Sequence, residues 1–271
     1  MQRGVLLKAI RETWLMTLLF AAGLFAFHSM LAYVMSSFYD DLVGTLMVNR
    51  FFQTIMQAML GQDFGEGITR DAAAAFCWVH PLGLFVLCGY LMAYCTRFPA
   101  GEIDRGTIHL LLGQPVSRLS LVLGETAVGL ASLLLLLGFC TVAHVLGLLA
   151  YLPDAGAVLD VLPAVVANLL ALLLAVGGIA CLISSVSRRR LAAIGGVFAV
   201  VEAWFLLNYL APFWKMAESL SFLGALHYYR PLAIVRDGAW PVGDIAILST
   251  IGLLFWAAGL LLFTRRNLAP N

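Results

Sequence analysis

Six long apolar stretches, separated by more polar connections, dominate the pattern of hydrophobic and polar positions along the chain. They cover residues 13–35, 76–96, 121–150, 158–186, 191–211 and 244–264. A helix of about 20 apolar residues crosses a bilayer, so each stretch is long enough to be a span. The pattern therefore predicts an all-α membrane protein with six transmembrane helices, in a single domain over residues 1–271.

The polar connections predict several shorter elements. Ahead of the first span, Arg3, Lys8 and Arg11 fall on one side of a helix, which is typical of an interfacial helix lying on the membrane before the chain turns in. Interrupted apolar residues within 42–60 predict an amphipathic surface helix. Residues 227–236 predict short outer helices between the fifth and sixth spans, whose aromatic side chains either anchor the segment at the interface or receive a periplasmic partner.

The composition agrees with a membrane protein and excludes other classes. Hydrophobic residues make up 62% of the chain and charged residues only 11%, with a mean hydropathy of +0.95. A soluble domain carries about 25% charged residues, so water is not the main solvent of this chain. The net charge of +1 also argues against a nucleic-acid partner.

The distribution of lysine and arginine predicts the orientation. With a cytosolic N-terminus, eleven fall inside and five outside: Arg3, Lys8, Arg11, Arg97, Arg105, Arg118, Arg188, Arg189, Arg190, Arg265 and Arg266 against Arg50, Arg70, Lys215, Arg230 and Arg236. Cytosolic loops carry the excess of basic residues in membrane proteins. We therefore expect both termini in the cytosol.

The sequence offers no catalytic machinery. Its two lysines, Lys8 and Lys215, stand outside any glycine-rich phosphate-binding loop, and neither the H-E-x-x-H nor the G-x-S-x-G pattern occurs. All five cysteines lie in apolar segments, where a free cysteine commonly packs as a small apolar residue. Since no helix carries two ligands at metal spacing, we expect no enzyme activity, no metal and no cofactor bound by this chain.

The connection 97–118 is the most informative polar segment. Asp104 or Thr107 can cap a short helix that Pro115 ends, and Ser117 can cap the helix that follows. These residues predict a short helix held on the cytosolic side between the second and third spans. On the physics alone, an ordinary loop with helix caps is the favoured interpretation.

The same segment resembles the cytosolic loop of the ABC-2 family of ABC-transporter permeases. The likeness rests on Gly101-Glu102, Gly106-Thr107, Leu111-Leu112 and the Pro115-x-x-Arg118 pattern, and weaker pieces extend it over nearly the whole chain. It is greatest to the branch that includes the nitrous-oxide-reductase maturation permease NosY. The chain departs from the family pattern at Glu125, where a lysine is frequent, and at Asn267, where an aspartate is common.

The resemblance implies a permease subunit of a bacterial inner-membrane exporter that a separate ATPase drives, with ATP and Mg²⁺ bound by that ATPase. It also implies a second permease subunit, identical or different, and contact with membrane lipid. The short cytosolic helix would then couple the ATPase to the spans. The residues in that role are Glu102, Asp104, Arg105, Gly106, Thr107, Pro115 and Arg118.

Polar residues inside the spans leave other functions open. Glu202 lies near the middle of the fifth span, where an acid is costly, so we expect it to face the bundle interior. With Asn208 it is a candidate for a translocation pathway or an ion-coupled carrier, the alternatives being a hydrogen-bonded carboxyl or a dimer contact. His28, His80 and His144 fall in the outer halves of three spans, where converging imidazoles could bind a haem or a metal or contact a quinol, so a membrane redox protein is the other alternative. Isolated histidines in membrane helices more often bond to a neighbouring helix.

Overall fold

The computed structural model describes residues 3–41, 70–151 and 156–267, and all regular elements in these ranges are helices. Within these ranges, six helical segments are long and apolar enough to cross a membrane, which confirms the predicted all-α architecture. The amphipathic helix predicted within residues 42–60 lies outside the described residues. We call the end of the bundle that carries segment 97–118 the cytosolic end, after the orientation that the lysine and arginine distribution predicts, and the opposite end the outer end.

Eleven α-helices follow one another in the described ranges. They are α1 (Arg3–Asp41), α2 (Arg70–Val79), α3 (Pro81–Thr96), α4 (Glu102–Asp104), α5 (Ile108–Leu112), α6 (Arg118–Tyr151), α7 (Gly156–Val186), α8 (Arg190–Leu210), α9 (Lys215–Leu220), α10 (Pro231–Asp237) and α11 (Val242–Arg265). A π-helical turn covers Arg97–Gly101, and two 3-10 turns cover Ser221–Leu223 and Ala225–Tyr228.

The first helix differs from the prediction at its start. The expected interfacial helix is not a separate element, because α1 runs for 39 residues without a turn. Residues 8–17 contain no glycine or proline that would break it. The hydroxyls of Thr13 and Thr17 instead donate to carbonyl oxygens one turn back, at 2.7 and 2.9 Å. A helix of roughly 58 Å exceeds the hydrocarbon core, so its basic first turns extend beyond the span.

The second span consists of two helices joined at His80–Pro81. Proline has no N–H to donate, and it suits the first position of α3. His80 Nδ1 accepts a hydrogen bond from the Leu82 N–H at 3.2 Å. At the cytosolic end, Phe98 is extended (φ −131°, ψ 133°), so the chain bends there and all five residues of the π-helical turn are buried.

Two helix pairs make the most extensive contacts in the bundle: α1 with α6, and α7 with α11. Glycines allow the second pair to approach closely. A Cβ at Gly252 would lie 2.6 Å from the Leu174 carbonyl oxygen, and one at Gly259 would lie 3.0 Å from Leu182 Cα. Small residues serve this purpose in lipid, where no hydrophobic force drives helices together.

The short outer helices predicted over residues 227–236 are confirmed as the second 3-10 turn and α10, and α9 and the first 3-10 turn precede them. Asn168 of α7, which is fully buried, bonds to the backbone of the segment between α9 and α10. Its Nδ2 donates to the Tyr228 carbonyl oxygen at 3.0 Å, and its Oδ1 accepts from the Arg230 N–H at 3.1 Å. The His227 ring contacts Ser221 Oγ and Arg230 Nη2, each at 3.1 Å.

Candidate functional site

Segment 97–118 folds as the π-helical turn followed by α4 and α5, so the predicted short helix exists as α5. Gly106 precedes it with a φ of +71°, a left-handed conformation that favours glycine. Thr107 stands at the start of α5, but its hydroxyl bonds to the Glu102 carboxylate and does not cap the helix. Ser117 does cap α6, because its Oγ accepts the Ser120 N–H at 3.1 Å.

Glu102 ties the segment to α1. Its side chain is 3% exposed, and its Oε1 lies 2.9 Å from Lys8 Nζ and 3.2 Å from Arg105 Nη2. Lys8 Nζ also lies 2.9 Å from Glu12 Oε1, so the lysine bridges two carboxylates. The structure therefore points Glu102 towards the first helix and away from the exposed face of the segment.

A second ion cluster lies deeper and joins three helices. The Arg97 guanidinium at the end of α3 pairs with Glu125 of α6 and with Glu12 of α1. The side chains of Arg97 and Glu125 are each only 9% exposed, and a buried charge of this kind needs a partner. The arginine also lies over the Tyr94 ring, 5.4 Å from its centroid. This geometry gives a physical reason for the acid at position 125, since a lysine there would face Arg97.

Arg118 and Arg266 close the cytosolic ends of the long helices. Arg118 Nη1 donates to the carbonyl oxygens of Phe263 and Thr264, both at 3.3 Å, at the end of α11. A cation satisfies the free carbonyls at a helix C-terminus. Arg266 Nη1 donates to the carbonyl oxygen of Ser185 at 2.7 Å, which joins the same end to α7. Arg118 is thus turned towards α11, where it holds helices together.

Ser184 of α7 fastens the bend after α3. This serine is fully buried, and its Oγ donates to the Phe98 carbonyl oxygen at 3.1 Å and accepts the Ala100 N–H at 3.2 Å. On the other side, Asp104 Oδ2 accepts the N–H of Arg190, the first residue of α8, at 3.2 Å. The segment is therefore bonded to every spanning helix, directly or through Arg118.

The outward face of the segment is mostly polar, with one prominent apolar side chain. Asp104, Arg105, Gly106 and Pro115 of the predicted set are all exposed. Leu110 is 72% exposed, whereas Ile108 on the opposite side of α5 is buried. Sequence reasoning missed Leu110. The available signal was the run Ile-His-Leu-Leu-Leu, which is too apolar for a helix that is buried on only one side.

The acid predicted inside the bundle lies on its surface. Glu202 is exposed, so the expectation that it faces the bundle interior is wrong for the single chain. The buried residues of α8 are Ala193, Val197 and Val201, and position 202 follows them on the outward side of the helix. Asn208 is half-buried on the same helix.

A mainly apolar cavity of about 500 Å³ lies between α3, α6, α7 and α11. It reaches from Leu170 in the middle of α7 to Phe98 at the cytosolic bend, and Trp256 closes one side. Neither Glu202 nor Asn208 is among its lining residues. The two candidate pathway residues and this cavity are therefore separate features.

The three predicted histidines are not brought together as a set. His28 and His144 meet inside the outer half of the bundle, close to Cys77. His80 does not belong to this group, because its ring caps α3. The structure therefore replaces one of the three histidines proposed for a haem or quinol site with a cysteine.

Comparison with known proteins identifies the family. A family model described as ABC-2 family transporter protein matches residues 7–268. The chain belongs to the ABC-2 transporter family. No curated protein and no solved structure matches it. ABC-2 proteins of this kind are permease subunits of ABC transporters, generally without catalytic activity, and they work with an ABC ATPase. This ABC-2 chain is accordingly a multi-pass membrane protein and a permease subunit.

Proposed function

We propose that this permease is the transmembrane part of an inner-membrane exporter, and that its ATPase binds the exposed face of residues 104–115. The observation that carries this proposal is Leu110, a 72% exposed leucine on a short helix with a polar surround. An apolar core inside a polar rim is the usual arrangement of a protein–protein interface. Export, cytosolic termini and a place in the NosY-like branch rest on the charge distribution and the sequence resemblance.

The connections of the segment support a coupling role. A push on Leu110 reaches α1 through Glu102 and Lys8, and it reaches α7 through the bend that Ser184 holds. Because these contacts are buried and mutually bonded, the segment moves with the helices and does not swing as a free loop. Closure of the ATPase pair would thus reorient the spans and alternate access across the membrane.

The exposed face of α8 supports pairing with a second permease subunit. Gly195, Ala199 and Ala203 form a stripe of small exposed residues along it, next to Glu202. A charged side chain facing lipid near the bilayer centre costs about 2.5–3.5 kcal/mol on insertion scales. Helix–helix contact through small residues would remove Glu202 from lipid. A second copy packed on this face therefore accounts for both the exposed small residues and the exposed acid.

Binding of the ATPase provides the test. Burial of the exposed 72% of Leu110 contributes about 1–2 kcal/mol, which corresponds to about 5- to 30-fold in the dissociation constant. Leu110→Glu should therefore weaken binding of the ATPase at least about fivefold (about 1 kcal/mol), which reduces its co-purification, and abolish transport. The matched control is Leu223→Glu, a 59% exposed leucine at the outer end, which should retain the ATPase. Equal recovery of the ATPase with both variants would contradict the proposed docking face.

A further inference from the structure

Three side chains with metal-binding atoms meet inside the outer half of the bundle. They are His28 of α1, Cys77 of α2 and His144 of α6, with exposed fractions of 2%, 2% and 0%. One potential ligand atom from each, a ring nitrogen or the cysteine Sγ, lies within 4.8 Å of the other two. Bonds of about 2.0–2.3 Å place two ligand atoms of one ion up to about 4.5 Å apart, so small rotations suffice to enclose an ion.

Three ring nitrogens of this group have no hydrogen-bond partner among the described residues. His28 Nδ1 and both ring nitrogens of His144 are buried without a hydrogen-bond partner in that part of the chain. Buried polar groups are normally paired, because an unsatisfied donor or acceptor loses its hydrogen bonds to water and makes no protein hydrogen bond in their place. A cation bound at the ring nitrogens would satisfy them.

The surrounding structure holds the three ligands in place. The Trp78 ring stands edge-on to both imidazoles, with centroid distances of 5.0 Å to His28 and 5.3 Å to His144. Its own carbonyl oxygen accepts the Tyr229 hydroxyl at 2.7 Å, which fixes the end of α2. One turn beyond His144, Gly147 lets Ala32 of α1 approach closely. The cluster is therefore built on three packed helices and not on a mobile loop.

We propose that His28, Cys77 and His144 bind a soft monovalent cation, Cu(I). A thiolate with two imidazoles is a donor set for soft or borderline metals and not for Mg²⁺ or Ca²⁺. Net charge decides between the remaining candidates. Cu(I) neutralises the Cys77 thiolate, and the site carries no charge. A divalent ion such as Zn²⁺ leaves a positive charge in an apolar interior, and Zn²⁺ also prefers a fourth ligand.

The site holds a resident ion and is not part of the transport path. Its ligands are enclosed, and none of them lines the cavity between α3, α6, α7 and α11. The ion cross-links the outer halves of α1, α2 and α6. This proposal goes beyond the permease function and does not depend on it. It replaces the expectation from the sequence that the chain binds no metal.

Competition for Cu(I) tests the proposal. The full-length chain is purified in detergent under anaerobic, reducing conditions and titrated against a chromophoric Cu(I) chelator. The wild-type chain should retain about one Cu(I), with X-ray absorption showing sulfur and nitrogen neighbours. Cys77→Ser and His144→Gln should each weaken binding by more than about tenfold. Cys88→Ser alters a buried cysteine outside the group and serves as the control that should bind as the wild type.

Several results would overturn the assignment. These are failure of the wild-type chain to hold Cu(I) against the chelator, equal binding by all variants, and tighter binding of Zn²⁺ than of Cu(I). A copper spectrum with sulfur neighbours alone would do the same, since it would place the ion on other cysteines. The spectrum needs only the wild-type chain, so it decides the question even if a variant does not fold.

Discussion

The buried pair between Arg97 and Glu125 gives the most direct test of how the cytosolic end is stabilised. Glu125→Leu removes the acid and leaves the Arg97 guanidinium 9% exposed, with Glu12 as its remaining carboxylate. Breaking a buried ion pair by removing one partner costs about 3–5 kcal/mol. Glu12, whose side chain is 36% exposed, offsets part of this cost. We therefore expect a loss of about 2–3 kcal/mol.

This loss is large enough to measure by thermal unfolding. A change of 1 kcal/mol shifts the melting temperature of a chain of this size by about 2–4 °C, so Glu125→Leu should lower it by about 4–12 °C. The five cysteines are all buried or half-buried, so a thiol-reactive dye reports unfolding in detergent. Asp237→Asn breaks an ion pair whose side chains are both more than half exposed, and it should leave the melting temperature unchanged.

The double variant distinguishes charge from packing. Arg97→Met with Glu125→Leu leaves no lone charge, so it should recover most of the loss caused by Glu125→Leu. A double variant whose loss equals the sum of the two single losses would show that the side chains act independently. That result, or a melting temperature for Glu125→Leu within about 1 °C of the wild type, would refute the electrostatic reasoning.

Three further predictions concern other parts of the molecule. Ala199→Cys should form disulfide-linked dimers in membranes, whereas Leu253→Cys, on the exposed face of α11, should not; the reverse pattern would exclude the α8 face as the dimer contact. Gly252→Ala should lower the melting temperature by the equivalent of about 1–3 kcal/mol, because its Cβ would meet the α7 backbone. Gly243→Ala should leave the melting temperature unchanged, because a Cβ at this position would meet no atom within 4 Å. The pKa of His227 is lowered by burial and by a neighbouring arginine, so the folded chain binds this proton less readily than the unfolded chain. Stability should therefore fall as the pH drops below about 6.5, and His227→Gln should reduce that dependence, as measured by melting temperature against pH.

The elements that follow from local sequence were predictable. Unbroken apolar runs predicted the six spans, and Ser117 was predicted as the cap of α6. The start of α1 was not predictable. Basic residues on one side of a helix are equally compatible with a helix on the membrane surface and with a spanning helix that extends beyond the membrane. No residue between 8 and 17 breaks the helix, and that absence is weaker evidence than a breaker would be.

The candidate sites depended on contacts that sequence position does not reveal. Arg97 meets Glu12 and Glu125 across 85 and 28 residues, and no local pattern connects them. The cost of an acid in lipid showed that Glu202 needs a partner, but it did not show whether that partner lies in the same chain. The ligands of the proposed copper site lie on three helices, so the spacing of residues along any one helix does not reveal them.

The two ends of the bundle together indicate where motion has to occur. At the cytosolic end, Arg97 joins α1, α3 and α6 through Glu12 and Glu125, and the proposed ion at the outer end joins α1, α2 and α6. With that ion bound, the first three spans would be fastened at both ends. The sixth span is fixed against α7 by glycine contacts along its length. α6 makes few contacts with α7 and α11, and the 500 Å³ cavity lies between these helices, whereas α3 packs extensively against α7. We therefore expect a push on segment 97–118 to widen or narrow the cavity beside α6 more readily than it separates α1 from α6 or α7 from α11.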